Sequence, residues 1–314
     1  HANLSFTAHS AMVAGAGVVN SIELAQLALE NGKANYILIY VGSNQVTESQ
    51  NSSPNKMHQD DPYKRNLEIP MGFFPQPVYF ATLAQRYSQI YGTIEEQLAA
   101  IAVVSRQHAL HNKNAQMKKP MSFDDYYKFP VFSDPLRIVD CCLVTDGAAA
   151  IVVTTKERAK DLKHSGVDII GLATASLDYV NPYFFTQSPD PLVTAAAKTA
   201  PIAFSQAGVS HEDIDVIGIY DCFTIAVVLQ LEDLGFCSKG EASDFIGSGE
   251  IISYDGKFPL NTHGGLLSQG FVYGMNHVVE AVKQLRNESG SAQVNDAEVA
   301  LVAGLGGWDH GTVI

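Results

Sequence analysis

The sequence has few cysteines, and none of them is arranged to frame a metal site or a disulfide scaffold. The four, none of which belongs to a CxxC or CxxH pair, are Cys141, Cys142, Cys222 and Cys237. They are therefore predicted to be reduced thiols. No uninterrupted apolar run approaches the roughly 20 residues of a membrane span, and the first residues show neither a basic region nor a cleavage-like site. We expect a cytoplasmic protein without a bound metal.

Basic residues are also scarce. The 314 residues include 20 Lys and Arg against 33 Asp and Glu, a formal net charge of -13. Because nucleic-acid binding draws on dense cationic side chains, this balance argues against such a surface. It leaves room for a local basic pocket that holds an anionic group. With 46% hydrophobic and 17% charged residues, the chain has the composition of a globular protein with a large core.

Helix and strand patterns alternate along the chain. Apolar residues at Val18, Ile22, Ala25 and Leu29 have the spacing of a helix over 15–31, and Gly32 is predicted to end it. The next run, YILIYV at 36–41, is apolar throughout and too short for a helix. It predicts a strand that is covered on both faces.

The segment from 42 to about 130 differs in texture, with polar turns, several prolines and two helical stretches near 80–91 and 94–112. We interpret it as an inserted loop domain. A strand is predicted again at 146–153, followed by a charged helix. The second half repeats the alternation: strands are predicted at 167–175, 216–220, 299–303 and 312–314, and helices at 192–207, 224–234 and 275–286.

Four short segments combine glycine with reactive side chains. They are Ala14–Gly17, Tyr220–Phe223, Asn261–Gly265 and Gly304–Gly307. Glycine permits close approach of the backbone to a ligand. Most of these segments stand where a predicted strand ends or a helix begins, and open α/β sheets bind their ligands there.

The run Asn261–Gly270, with Tyr220–Phe223 before it and Gly304–Gly307 after it, resembles the sterol-carrier-protein-type thiolase superfamily. The resemblance extends over nearly the whole chain and includes Arg106, His108, Ala109, Asn112, Asp134–Arg137 and Asp146–Ala150. It implies an α/β thiolase fold: two similar βαβαβαββ halves stacked as a five-layer αβαβα sandwich, with an inserted loop domain. The implied boundaries are 1–42 with 131–163 for the first half, 43–130 for the loop domain and 164–314 for the second half. Family members carry a further βαβα stretch earlier, so the first half is expected to be incomplete at its start.

Three departures from the thiolase pattern concern its chemistry. Thiolases attack an acyl-CoA with a cysteine at the start of a buried helix, and Gly15 stands at that position here. The histidine that activates the cysteine is replaced by Phe271, and the histidine or asparagine that holds the thioester oxygen is replaced by Tyr220. Together the changes suggest a different reaction at a retained binding site.

This pattern resembles the thiolase-like aldolases of steroid side-chain degradation. The resemblance implies a lyase that performs retro-aldol cleavage of a β-hydroxyacyl-CoA, with a steroid side-chain CoA thioester as the substrate and no covalent cysteine intermediate. It also implies a homodimer that pairs with an OB-fold/zinc-ribbon protein of the DUF35 type. No tightly bound cofactor is expected, since coenzyme A is part of the substrate.

The candidate site residues follow from this resemblance. The expected catalytic residues are Tyr220, Tyr273, His263, Asp221 and Cys222, and the expected binding residues are Gly264, Gly265, Gly306, Gly307 and Phe271. A tyrosine acts as a base near neutral pH only if its neighbours lower its pKa from about 10. Asp221 has an alternative role as the N-cap of the helix near 224, and Cys222 as a small core residue.

Two other functions remain open at this stage. One is a thiolase or acetyl-CoA acyltransferase that uses Cys222 as its nucleophile, and the other is a non-catalytic, thiolase-like scaffold subunit. The residues that hold the CoA phosphates are not evident from the sequence. Lys64, Arg65 and Arg86 in the loop domain are candidates.

Overall fold

The computed structural model describes residues 15–49, 62, 64–178, 188–307 and 309–314. The first residues and the polar stretch at 50–61, both used in the sequence predictions, lie outside this part. The helices are α1 (Ala16–Glu30), α2 (Gln45–Ser49), α3 (Gln76–Tyr91), α4 (Glu95–Leu110), α5 (Phe123–Lys128), α6 (Lys156–Ala159), α7 (Ala196–Ala207), α8 (Thr224–Asp233), α9 (Ala242–Ile246) and α10 (Met275–Leu285). The strands are β1 (Tyr36–Asn44), β2 (Val131–Ser133), β3 (Leu136–Arg137), β4 (Asp146–Thr154), β5 (Leu172–Ser176), β6 (Val216–Ile219), β7 (Ala300–Leu305) and β8 (Asp309–Val313).

Helix α1 and the strands β1 and β4 are the longest described elements of the predicted first half. α1 buries Val18, Ile22 and Ala25, as its periodicity predicts, and the chain turns at Gly32 with φ +65°. β1 then pairs antiparallel with β4 along its whole length, from Tyr36 opposite Thr154 to Asn44 opposite Asp146. The predicted loop segment leaves and re-enters at one end of this pair.

The prediction that β1 is covered on both faces is wrong for the described part of the chain. Ile39 and Val41 are buried, whereas Tyr36, Leu38 and Tyr40 are 51%, 54% and 71% exposed. Successive side chains of a strand point to opposite faces. An apolar run on both faces therefore gives no indication of which face meets the core.

The second half contains a four-stranded sheet in the order β5-β8-β7-β6. β6 and β7 are parallel, and β8 is antiparallel to both of its neighbours. Helices cover both faces: a Cβ built on Gly311 would lie 2.5 Å from Val19 of α1, while His310 bonds Thr199 of α7 at 2.9 Å. α1 from the first half therefore packs on the sheet of the second half.

The segment between β1 and β4 packs against the second half: its helices α3 and α4 both contact α8. One buried polar link is the carboxylate of Asp140, which accepts hydrogen bonds from the Tyr126 hydroxyl at 2.9 Å and the Thr224 hydroxyl at 2.8 Å. This link fixes the first turn of α8, just after the Tyr220–Phe223 segment. No helix in the described residues is long and apolar enough to cross a membrane.

Candidate active site

Tyr220 immediately follows β6 and points its ring at the start of α1. Its N–H donates to the carbonyl of Ala303 at 3.1 Å, and its own carbonyl accepts from Gln230 at 2.8 Å. A Cβ built on Gly15 would lie only 2.1 Å from the Tyr220 ring. Gly15 has φ -71° and ψ -27°, which any residue can adopt. Its missing side chain is therefore required for space, because the phenol ring occupies the position of a side chain at 15.

Phe271 and Tyr273 extend this aromatic group. The ring centroids of Tyr220 and Phe271 are 6.3 Å apart, and those of Phe271 and Tyr273 are 4.8 Å apart, both edge-on. The Phe271 N–H donates to the hydroxyl of Thr145 at 2.7 Å. The structure thus brings Gly15, Tyr220 and Phe271, the three departures from the thiolase pattern, into one contiguous group.

Tyr273 differs from Tyr220 in backbone and exposure. Its φ of +51° lies in the left-handed region, where a bulky residue is uncommon and costs energy. Its side chain is half-buried, and its hydroxyl accepts a long hydrogen bond from Gln45 Nε2 at 3.4 Å. The backbone therefore presents this phenol beside the end of β1.

Burial decides the protonation of Tyr220. Desolvation raises the pKa of its phenol well above the ordinary value, and the nearby Cys222 adds to the shift. The condition for a basic tyrosine, that its neighbours lower the pKa, is not met at this position. Tyr220 is therefore a protonated phenol, which is able to donate a hydrogen bond.

Asp221 anchors a backbone segment instead of capping a helix. Its carboxylate is fully buried and accepts hydrogen bonds from the N–H groups of Leu266 at 2.8 Å and Leu267 at 3.3 Å. The N-cap of α8 is Phe223, without a side-chain cap, so the prediction of an Asp221 cap is wrong. The orphan N–H groups of the Gly265–Gln269 turn compete successfully for the carboxylate.

His263 lies beside a second buried histidine, His277. Their ring centroids are 5.0 Å apart, and Nε2 of His277 lies 3.4 Å from Oδ1 of Asp221. Nε2 of His263 is 3.3 Å from Nδ2 of Asn276. Burial lowers the pKa of His263 well below its usual value, and His277 lowers it further. His263 is therefore neutral and, with Asp221, lies behind the aromatic group.

Cys222 is buried next to Tyr220. Desolvation raises the pKa of its thiol well above the usual value, and Cys142 and Asp221 raise it further. A nucleophilic cysteine needs the opposite, an electropositive environment that favours the thiolate. The thiol of Cys222 is therefore a proton donor at most.

The predicted binding glycines fall into two groups. Gly264 and Gly265 are buried against protein: a Cβ at Gly264 would lie 2.7 Å from Ala109, and one at Gly265 would lie 2.0 Å from Asp221. Gly306 and Gly307 border a small cavity of about 20 Å³, which has room for about one water molecule. Its other walls are mainly apolar side chains of α3 and α8 with 191–195. Of these four glycines, the second pair borders the cavity, and the first pair is packed against protein atoms.

Two polar neighbours of the site are not evident from the sequence. Gln45 contacts the Tyr273 hydroxyl, and Thr145 holds the Phe271 N–H. Both residues adjoin the paired ends of β1 and β4. Their place at strand ends is a usable signal, but polar loop residues there are too common to single out two of them.

Comparison with known proteins identifies the family. Residues 179–314 match the family model described as thiolase C-terminal domain-like. The chain is 32% identical, over 93% of its length and 77% of the relative, to the 17-hydroxy-3-oxo-4-pregnene-20-carboxyl-CoA lyase of Mycobacterium tuberculosis. It is also 32% identical, over 93% of its length and 76% of the relative, to the steroid side-chain-cleaving aldolase of Thermomonospora curvata. The chain belongs to the thiolase superfamily, in the branch of these steroid side-chain-cleaving aldolases.

Solved structures agree with this assignment. An Ltp2-ChsH2(DUF35) aldolase superposes with a TM-score of 0.86 at 30% identity, covering 96% of this chain and 78% of that one. The dimeric peroxisomal thiolase of Saccharomyces cerevisiae superposes with a TM-score of 0.66 at 16% identity, which shows the fold alone. The predicted thiolase fold and the predicted aldolase branch are both confirmed.

Proposed function

We propose that this member of the aldolase branch cleaves a β-hydroxyacyl-CoA by retro-aldol chemistry, with a steroid side-chain CoA thioester as substrate. The observation that carries the proposal is the Tyr220 ring in the space of a side chain at Gly15. A thiolase nucleophile does not fit there, so covalent catalysis from that helix has no attacking group. The names of the two bacterial relatives, a pregnene-carboxyl-CoA lyase and a side-chain-cleaving aldolase, support the same reaction class.

The reaction needs an acid, a base and a hydrogen-bond donor, but no cofactor in the chemical step. A base takes the β-hydroxyl proton, the oxygen becomes a carbonyl, and the Cα–Cβ bond breaks. Its electron pair passes into the thioester as an enolate, which a proton on the α-carbon then converts into the shortened acyl-CoA. Stabilising the enolate oxygen is the larger electrostatic task.

The environments of the residues suggest their roles. Tyr220, kept protonated by burial, donates a hydrogen bond to the thioester oxygen. Tyr273, which is half-buried beside the end of β1, accepts the hydroxyl proton. Cys222, a protonated thiol beside Tyr220, reprotonates the α-carbon. Asp221 and His263 hold the Gly265–Gln269 turn in place and are positioning residues.

Removing each phenolic oxygen tests the proposal. Tyr220→Phe and Tyr273→Phe keep the ring packing and are each expected to lower kcat for carbon–carbon cleavage about 100-fold. Tyr127→Phe, which removes a phenol that is 42% exposed on α5, serves as the matched control and should leave kcat unchanged. Cleavage at the wild-type rate by both site variants would refute the assignment.

The acyltransferase alternative makes a separate prediction, a covalent acyl group on Cys222. Burial that raises the pKa of this thiol argues against it. Intact-mass measurement after incubation with an acyl-CoA distinguishes the two reactions, since the retro-aldol route leaves the protein mass unchanged.

We further propose that the active form is a cytoplasmic homodimer that pairs with a DUF35-type subunit. The similarity to the Ltp2-ChsH2(DUF35) aldolase supports the partner. Co-expression with such a subunit, followed by light scattering on the purified sample, tests both associations. A monomer that cleaves substrate alone would contradict them.

A further inference from the structure

Arg106 is a buried cation without an acidic partner in the described part of the chain. It lies near the end of α4 and is 8% exposed. Its Nε donates a hydrogen bond to the Ser268 hydroxyl at 3.2 Å, and the described residues include no carboxylate in ion-pair contact with its guanidinium. Desolvation lowers the pKa of Arg106. A buried charge of this kind is costly unless an anion compensates it.

The chain around Arg106 is free of acidic residues. From 97 to 123 there is no Asp or Glu, although the chain has 33 of them. The same stretch supplies three exposed lysines, Lys113, Lys118 and Lys119. The Nζ of Lys118 donates to the carbonyls of Asn112 at 2.9 Å and Lys113 at 2.7 Å, which holds its charge in place. In an acidic protein this is a local region of positive charge, as anion binding requires.

This cationic segment is bonded directly to the candidate active site. Met117 N–H donates to the carbonyl of Ser268 at 3.1 Å, and Gln116 N–H donates to that of Gln269 at 2.8 Å. Ser268 therefore contacts both Arg106 and the segment that carries the lysines. Phe271, with its ring against Tyr220, follows three residues later. An anion held here lies beside the loop that shapes the reaction site.

We propose that Arg106, together with Lys113, Lys118 and Lys119, binds the phosphate groups of the coenzyme A part of the substrate. The inference rests on the proposed function, because the anion that it assigns to Arg106 is part of the acyl-CoA substrate. Guanidinium groups bind phosphate oxygens with strong, charge-assisted hydrogen bonds, and flanking lysines act as point charges.

Lys64, one of the three cations singled out in the sequence, is less suited to this task. Lys64 is only 4% exposed, and its Nζ lies 4.9 Å from the centroid of the Tyr79 ring. That side chain is built into the protein interior. Arg106 differs because its Nε bonds the Ser268 hydroxyl and its guanidinium has no carboxylate partner among the described residues.

Binding measurements without turnover test the proposal. Calorimetry compares free coenzyme A with pantetheine, which lacks the nucleotide and its phosphates. Arg106→Gln should weaken coenzyme A binding about 30-fold, and the double variant Lys118→Gln/Lys119→Gln about fivefold, with a weaker dependence on salt. Pantetheine affinity should remain at the wild-type value in both. Lys128→Gln, an exposed lysine paired with Asp125, is the matched control and should change neither ligand.

The outcomes separate this proposal from the proposed reaction. Equal losses for coenzyme A and pantetheine would assign Arg106 a structural role, and unchanged coenzyme A affinity in both variants would remove the phosphate site; either result overturns the proposal. The double lysine variant changes only exposed side chains, so it decides the question even if Arg106→Gln does not fold. An absence of carbon–carbon cleavage in the wild type would refute the reaction while leaving this binding test intact.

Discussion

Tyr220 and Tyr273 carry the same phenol in opposite surroundings. Tyr220 is 5% exposed, packed on Gly15 and backed by Asp221 and buried histidines. Tyr273 is half-buried and stands on a left-handed backbone, and among the described residues its hydroxyl is hydrogen-bonded by Gln45. We call the first region the sealed side and the second the open side.

In the proposed mechanism, this difference lets one residue type serve both as hydrogen-bond donor and as base. On the sealed side desolvation raises the pKa of the phenol and keeps its proton. On the open side the phenol is half-buried, and the hydrogen bond that its hydroxyl accepts from Gln45 is long, at 3.4 Å. Paired groups in contrasting environments are a usual means of dividing acid and base roles.

The largest effect should follow from breaking the sealed side at Gly15. In Gly15→Ala the added methyl group would lie 2.1 Å from the Tyr220 ring, so the ring has to move. We expect a destabilisation of about 1–3 kcal/mol from overpacking and a loss in kcat of about 100-fold from the displaced hydroxyl. Urea unfolding and cleavage assays measure the two effects.

Gly42→Ala is the matched control for this experiment. Gly42 lies in β1 with no atom within 4 Å of the added methyl group and without a positive φ. It should change neither stability nor kcat. If Gly15→Ala behaves in the same way, the ring of Tyr220 does not depend on the missing side chain.

Local sequence patterns predicted the elements well but not every contact. The periodicity of Val18, Ile22 and Ala25 correctly placed α1 and its buried face. The apolar run of β1 placed the strand but not its open face, because both faces of the pleat carry the same residue types. Whether a face of a strand is buried depends on which elements pack on it, and the residues of the strand alone do not determine this.

The site was predictable as a set of residues and not as an arrangement. The resemblance selected Gly15, Tyr220 and Phe271, yet the contact between Tyr220 and Gly15 joins residues that are far apart in the sequence and exists only in the fold. Asp221 had a local alternative as a cap, and the distant N–H groups of Leu266 and Leu267 prevailed. An unpaired charge such as that of Arg106 is likewise visible only once its neighbours are known.

The second-largest effect should be a loss of stability at acid pH, and it arises on the sealed side. Behind His263 the ring of His108 is buried, and desolvation lowers its pKa to about 4. As the pH falls below about 6.5, the unfolded chain binds a proton that the folded protein refuses. Stability contributed by the neutral ring is thus complete above that pH and is lost toward pH 4. Between pH 7 and pH 5 the loss should be about 2 kcal/mol.

His108→Asn tests this origin of the acid sensitivity. The asparagine amide can keep the hydrogen bond that Nδ1 makes to the Leu260 carbonyl at 2.9 Å, and it does not titrate. The difference in unfolding free energy between pH 7 and pH 5 should shrink by about 2 kcal/mol in this variant. His164→Asn changes a side chain that is 61% exposed and should retain the wild-type difference. Equal pH dependence in all three proteins would assign the acid sensitivity to other groups.

The smallest effect is expected on the open side, at Gln45. Its hydrogen bond to the Tyr273 hydroxyl is long, at 3.4 Å, and a bond of that length contributes little. Gln45→Leu keeps the size of the side chain and removes the donor. We expect about a threefold loss in kcat and a stability change within about 0.5 kcal/mol, measured against Gln89→Leu on an exposed turn of α3. A loss as large as that of Tyr273→Phe would mean that Gln45 fixes the phenol as rigidly as Gly15 fixes Tyr220, and the contrast between the sealed and open sides would no longer hold.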